Sequence, residues 1–106
     1  MINIPLQTIA NQSLNIVLDG NNYTIRLHAC EDKNSLVYGV TAVDIVRNNI
    51  VIVSGMRAVC GTPLIPYAYL ENGNFIFVTQ NDEYPNWNYF GINQFLIYAS
   101  QAELNG

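Results

Sequence analysis

An Asn-Gly pair between two apolar runs constrains this chain more than any other feature of its sequence. Asn72 and Gly73 separate the apolar runs at residues 66–70 and 75–79. A two-residue type I′ turn requires positive φ at both central positions, and Asn followed by Gly meets that requirement best. The pair therefore predicts a type I′ β-hairpin, with aromatic and β-branched side chains facing each other across its strands.

Alternation of apolar and polar residues continues along most of the chain. The predicted strands cover residues 13–18, 23–29, 36–46, 50–53, 66–70, 75–79 and 94–100. Turns are predicted at residues 19–22, which join the first two strands into a hairpin, and at residues 47–49. Short strands separated by turn residues every ~8–12 positions are typical of a β-sandwich or a small barrel. We predict an all-β fold of about seven strands, a small, partly open antiparallel β-barrel of the OB-like kind.

Two local features refine this arrangement. Gly55 interrupts a run of β-branched residues, which predicts a bulge or a sharp bend. Residues 50–53 are apolar on both faces, which predicts a strand that is central or buried on both sides. The 106 residues fit a single domain, in which residues 1–12 form an extended N-terminal arm and residues 101–106 form a polar tail.

Charge and hydropathy argue against several classes of function. The net charge is −4, and the four Lys and Arg residues are scattered along the chain, whereas nucleic-acid binding needs clustered cations. No apolar run approaches the ~18 residues of a transmembrane helix, and the N-terminus lacks the features of a signal peptide. We therefore expect a protein that is made in the cytoplasm and binds neither nucleic acid nor membranes.

Asparagine carries much of the polar character of the chain. There are 15 asparagines and one lysine, and charged residues make up 11% of the sequence, against about 25% in ordinary globular proteins. Two explanations stay open at this point: an AT-rich genome, or a surface that is largely buried in an assembly.

No constellation of residues predicts catalysis. His28 and Cys30 share a strand face, yet no third group orients them, so we expect an ordinary pair of strand residues. Cys30 and Cys60 are too few for a zinc site and are expected to be free thiols in a reducing compartment. Asp44 and Arg57 are candidates for a buried ion pair that fixes the fold.

Acidic neighbours do not predict a metal site either. Glu31-Asp32 and Asp82-Glu83 fall in predicted loops and lack the spaced Asp, Asn and Gly residues of a calcium loop. The sequence thus predicts no catalytic residue, no cofactor and no metal ligand.

The strongest candidate for a functional site is the segment at residues 84–90, which we call the aromatic loop. It holds Tyr84, Trp87, Tyr89 and Phe90, and such rings are enriched at protein interfaces. The rings either contact a partner or cap one open end of the barrel, and both roles are compatible because Tyr and Trp combine an apolar face with a polar group. We expect at least one ring at the surface, with Trp87 the first candidate.

Several motifs along the chain occur together in one family. They are Leu18-Asp19-Gly20, Ser54-Gly55-Met56-Arg57-Ala58-Val59, Gly61, Pro66-Tyr67-Ala68-Tyr69-Leu70, the loop from Pro85 to Phe90-Gly91, and Phe95-Leu96-Ile97-Tyr98. In this combination, which spans residues 3–100, the chain resembles the plug-protein domain family of contractile-tailed phage (myophage) baseplates.

The resemblance implies a structural protein of the virion, a baseplate plug or hub-associated component with a small β-barrel-like domain and no enzymatic activity. It implies contacts with other tail and baseplate proteins, such as the hub, the tail tube or the spike, and assembly in the cytoplasm of the host. The alternative, from a different class, is a small β-barrel that binds a ligand. Because a basic groove for single-stranded nucleic acid is missing, an oligosaccharide is the favoured ligand in that case.

Overall fold

The computed structural model describes residues 1–30, 34–35, 41–65, 73–80, 83–100 and 102–103. Within these residues, seven β-strands form two antiparallel sheets. The strands are β1 (Ile2–Ile4), β2 (Gln12–Leu18), β3 (Asn21–Ala29), β4 (Thr41–Arg47), β5 (Ile50–Arg57), β6 (Gly73–Thr79) and β7 (Gln94–Ser100). One sheet has the strand order β1-β7-β6, and the other has the order β2-β3-β4-β5.

The two sheets pack against each other around three rings, which we call the core cluster. Tyr23 of β3 packs edge-on against Phe75 of β6, with ring centroids 5.2 Å apart. The Phe75 ring also lies 5.2 Å from the ring of Tyr98 on β7, and all three side chains are buried. The described residues do not close into a barrel, so the prediction of an all-β, partly open fold is confirmed.

Two hairpins have the turn geometry that short sequence patterns predict. Asp19 (φ 50°) and Gly20 (φ 79°) connect β2 to β3, and Asn48 (φ 50°) and Asn49 (φ 68°) connect β4 to β5. Positive φ at both central residues defines a type I′ turn, whose twist matches that of the flanking strands. Asp, Asn and Gly occupy these positions because they tolerate the left-handed region better than other residues.

Gly73 has a different role from the predicted one. It is the first residue of β6 and its φ is not positive, so the predicted type I′ turn at Asn72-Gly73 is wrong. A Cβ atom at Gly73 would overlap the carbonyl oxygen of Ala99 and the hydroxyl of Tyr98. Glycine is required at this position because the Tyr98 side chain occupies the space that another side chain would need.

The second edge of β6 is covered by residues 60–65. The Gly61 N–H donates to the Phe77 carbonyl at 2.9 Å. The buried side chain of Asn74 accepts from the Ile65 N–H and donates to the Ile65 carbonyl, both at 2.9 Å. These bonds hold residues 60–65 against β6 and cover a strand edge that would otherwise be open.

Among the described strands β5 lies at the edge of its sheet, which corrects the prediction that residues 50–53 form a central strand. Ile50 and Val51 are 58% and 64% exposed, so apolar side chains on both faces mark an exposed edge here and not burial on both sides. The bulge predicted at Gly55 is present. The β4–β5 register shifts opposite Asp44, the φ of Gly55 is +64°, and its N–H donates to Asp44 Oδ1 at 2.6 Å.

Several predictions fall outside the described residues. These are the strand at residues 66–70, the first part of the strand at 36–46, Asn72, the acidic residues Glu31, Asp32 and Asp82, and most of the polar tail. No helix in the described part of the chain is long and apolar enough to cross a membrane.

Candidate functional site

A single turn of 3₁₀ helix shapes the aromatic loop. The helix covers Trp87–Tyr89 and is capped by Asn86, whose side chain accepts from the Asn88 N–H at 3.0 Å. Asparagine is favoured at such a position because its short side-chain amide supplies an acceptor for an N–H of the first turn. Asn86 therefore fixes the turn that carries two of the rings.

Gln94, the first residue of β7, holds the loop to the sheet. Its buried side chain accepts from the Asn86 N–H at 2.7 Å and donates to the Tyr84 carbonyl at 3.3 Å. Its carbonyl accepts from the Gly91 N–H at 2.9 Å. A buried amide is costly when it is unpaired, and here both ends of the amide are bonded to the loop.

Phe90 anchors the loop in the interior. Its ring is fully buried and stacks on Phe77 of β6, with centroids 5.9 Å apart. Its carbonyl accepts from the Thr8 hydroxyl at 2.8 Å. Phe90 therefore fastens the loop to the core and to the N-terminal segment, and it presents no surface of its own.

The other three rings lie nearer the surface. Tyr84 is 64% exposed and Tyr89 is 44% exposed, which confirms the expectation of at least one surface ring. Trp87 is half-buried and packs against the hydrophobic core. Its indole nitrogen is buried, with no hydrogen-bond acceptor among the described residues. Trp87 is thus not the most exposed ring, because the large apolar indole gains more from burial than the tyrosines do.

Tyr84 contacts the four-stranded sheet through Arg57. The central guanidinium carbon of Arg57 lies 4.9 Å from the centroid of the Tyr84 ring, within the range of a cation–π contact. The predicted ion pair between Asp44 and Arg57 is wrong, because Asp44 has other partners. It accepts from the Gly55 N–H and lies 3.1 Å from His28 Nε2.

The carboxylate of Asp44 is stabilised in its charged form. The hydrogen bond from the Gly55 N–H lowers the pKa of Asp44, and His28 adds to this effect against the opposing influence of burial. His28 is bonded to Asp44 and not to Cys30, and Cys30 and Cys60 do not form a disulfide with each other. Among the described residues, no group of His, Cys, Asp and Glu side chains could hold a metal ion.

A small cleft opens between residues 3–6 and the start of β7. Its volume is ≈ 130 Å³. Pockets for organic ligands typically have volumes of about 300–1,000 Å³. The cleft is therefore too small to enclose an oligosaccharide.

Sequence reasoning does not identify three residues that shape this site: Asn86, Gln94 and Arg57. Asn86 does have a local indicator, since an asparagine just before a helical turn is a typical cap. Gln94 and Arg57 have none. Arg57 reaches Tyr84 from β5, and the Gln94 side chain bonds to residues 8 and 10 positions earlier, so neither contact follows from a pattern of neighbouring residues.

Comparison with known protein families gives a match over nearly the whole chain. The family model described as cyanophage baseplate Pam3 plug gp18 matches residues 1–101. A search of curated proteins finds no match. The family match confirms the resemblance indicated by the sequence motifs, and it spans both sheets and the aromatic loop.

Proposed function

Because the chain belongs to the family of the cyanophage baseplate plug, we propose that it is a structural, hub-associated component of a contractile phage tail. Membership in the family supports a structural role in the tail baseplate of the virion. In this proposal residues 1–106 act as one domain through contacts with the hub, the tail tube or the spike. The protein is made and assembled in the cytoplasm of the host.

The observation that carries the proposal is an aromatic loop that is fixed in place while two of its rings face solvent. Tyr84 and Tyr89 are exposed, although the loop backbone is bonded to β7 and anchored in the core. Fixed tyrosines offer a large contact area and lose little conformational entropy on binding, and interface hot spots are enriched in Tyr and Trp. We assign the contact to Tyr84, Trp87 and Tyr89, with Phe90 as the buried anchor.

The proposed role requires neither catalysis nor a cofactor. A nucleophilic side chain needs a base within hydrogen-bond reach, about 2.6–3.2 Å away. His28 is exposed and lies against Asp44, and in the described part of the chain no thiol is bonded to it. The net charge of −4 also disfavours nucleic acid as a partner.

Reconstitution with the hub and tail-tube proteins of the same phage tests the proposal. The variant Tyr84→Ala/Tyr89→Ala removes the exposed rings and leaves the loop backbone anchored. We expect its melting temperature to fall only slightly, because both side chains are exposed. Co-purification should weaken by the equivalent of about 2 kcal/mol or more if these rings are hot spots.

Val17→Ala is the matched control, because Val17 on β2 is 69% exposed and lies at the opposite edge of the sheet from β5. It should co-purify normally. Trp87→Ala should lower both stability and assembly, since Trp87 packs against the core. Normal assembly of the tyrosine double variant would show that the loop is not the contact. A large fall in its melting temperature with normal assembly would make the loop a cap of the core.

A further inference from the structure

The outer face of the four-stranded sheet gathers basic side chains that are distant in sequence. Arg26 and His28 of β3 and Arg57 of β5 are all exposed, and they are three of the five basic side chains in a chain whose net charge is −4. We propose that this surface, which we call the basic face, docks an acidic segment of a partner polypeptide. This proposal rests on the proposed function in one respect, namely that the partner is a protein.

The register of the sheet brings the three side chains to one surface. His28 pairs with Ala42 across β3 and β4, and Ala42 pairs with Arg57 across β4 and β5. Arg26 pairs with Asp44 one repeat along the same face. Neighbouring strands lie about 4.8 Å apart, so the backbones at His28 and Arg57 are separated by only about 10 Å.

Asp44 also lies on the basic face, opposite Arg26, and its charge offsets one of the positive charges there, but its hydrogen bonds go to groups other than the two arginines. Its Oδ1 accepts from the Gly55 N–H at 2.6 Å, and its Oδ2 lies 3.1 Å from His28 Nε2. Within the described residues, neither Arg26 nor Arg57 forms an ion pair with an acidic side chain. Within the described part of the chain, both guanidinium groups can therefore meet a carboxylate of a partner.

The surroundings of Arg57 favour a carboxylate as the bound group. The Tyr84 ring covers the guanidinium group at 4.9 Å and restrains a side chain that would otherwise lose conformational entropy on binding. A planar guanidinium held in this way can bind a carboxylate through two parallel hydrogen bonds. Tyr84 belongs to the aromatic loop and contacts Arg57 of the basic face. The two surfaces are therefore adjacent, and one partner can contact both.

A polypeptide fits this surface better than a nucleic acid does. Proteins that bind DNA commonly neutralise about 6–10 phosphates, whereas the basic face offers two guanidinium groups and one imidazole. The rest of the chain is acidic and repels a polyanion. An extended acidic segment needs only a few such contacts, because it can also pack on the exposed Tyr84 ring beside Arg57.

Titration of the ¹⁵N-labelled protein with a hexaglutamate peptide at about 0.1 M salt, where the Debye length is about 10 Å, tests the proposal. We expect amide chemical-shift changes to concentrate at Arg26, His28, Arg57 and Tyr84. The variant Arg26→Gln/Arg57→Gln should weaken the peptide affinity about tenfold or more, because it removes both charge-assisted hydrogen-bond donors. Both side chains are exposed, so the variant should remain folded.

The control Gln7→Glu/Thr62→Glu makes the same change in net charge at exposed positions outside the basic face. Its peptide affinity should stay within about twofold of the parent, because exposed charges beyond a Debye length are largely screened. Equal weakening in the two double variants would overturn the proposal, as would shift changes that map to another surface. Duplex DNA that binds as tightly as the peptide would overturn it too.

The two proposals fail in different ways. If the peptide does not bind but Tyr84→Ala/Tyr89→Ala still weakens assembly, the basic face is not a docking surface and the proposed function stands. If the peptide binds at the basic face but that tyrosine variant assembles normally, the aromatic loop loses its assigned role and the basic face keeps its own.

Discussion

The core cluster and the aromatic loop use the same kinds of side chain in opposite ways. In the core cluster, Tyr23, Phe75 and Tyr98 are almost wholly buried, and the Tyr98 hydroxyl donates to Asp19 Oδ2 at 2.6 Å. Burial, together with that hydrogen bond, raises the pKa of Tyr98. In the aromatic loop, Tyr84 is exposed and its ring covers a guanidinium group.

The difference between the two regions comes from the surroundings of each ring. A ring between two sheets has apolar neighbours on both faces, so truncating it leaves a cavity. A ring on a surface turn has solvent on one side, so its apolar area remains available to a partner. The core cluster therefore contributes mainly to stability, and the exposed rings of the loop are available to contact a partner.

The largest expected effect is in the core cluster. Phe75→Ala should lower the free energy of unfolding by about 3–5 kcal/mol, because the Phe75 ring contacts both Tyr23 and Tyr98. Urea denaturation followed by circular dichroism measures this loss. A loss as small as that of an exposed side chain would remove the distinction between the two regions.

Gly73 tests how tightly the core cluster is packed. Gly73→Ala should cost about 1–3 kcal/mol, the usual range for overpacking, because its Cβ would overlap the Tyr98 hydroxyl and the Ala99 carbonyl. The variant Gly73→Asn distinguishes steric overlap from a requirement for a positive φ at this position. Overlap makes Asn at least as damaging as Ala, whereas a left-handed backbone would make Asn the milder change. Thermal unfolding of both variants decides between the two causes.

Asp44 tests how much the bulge at Gly55 contributes to stability. Its side chain accepts a hydrogen bond from the Gly55 N–H, and Gly55 lies two residues before Arg57, which contacts the aromatic loop. Asp44→Ala should cost about 1 kcal/mol at neutral pH through the lost hydrogen bonds. The pKa of Asp44 is lowered in the folded state. Its stabilising contribution is therefore present above the ordinary value of about 3.9 and is lost as the pH falls through the folded-state value.

Thermal melts of the parent and of Asp44→Ala over a pH series measure this dependence. The difference between the two melting temperatures should shrink in acid. A difference that grows as the pH falls would mean that the carboxylate is not stabilised by the Gly55 N–H.

The smallest expected effect is at the exposed end of the loop. Tyr84→Ala should change the free energy of unfolding by no more than about 0.5 kcal/mol, as is usual for surface substitutions, because the side chain is 64% exposed. Its solvent-exposed cation–π contact with Arg57 accounts for most of that change, at the weak end of such contacts, about 0.5 kcal/mol. If Tyr84→Ala is as damaging as Phe75→Ala in the same urea titration, the loop belongs to the core.

Patterns within a few consecutive residues account for the parts of the fold that the sequence predicts. β7 covers Gln94–Ser100, as predicted, and the Gly55 bulge lies where a glycine interrupts a β-branched run. Turn chemistry and the two-residue period of a strand are properties of neighbouring residues. The position of the aromatic loop is likewise visible in the sequence, because its rings are clustered between two strands.

The features that the sequence does not predict depend on residues from distant segments. Gly73 does not form the expected turn, and what makes it necessary is the side chain of Tyr98. Apolar residues on both faces of β5 fit a central strand or an exposed edge equally well until the strand order is known. The burial of Phe90 on Phe77 and the gathering of the basic face depend in the same way on neighbours from other strands.

The sequence by itself determined the all-β class, two of the hairpin turns, the bulge and the clustering of rings, because each of these follows from backbone and side-chain preferences over a few residues. Only the tertiary structure decided which strand is an edge, which rings are buried and which charges share a face. Those properties are set by strand order and register, and strand order and register are set by packing between segments that lie far apart in the chain.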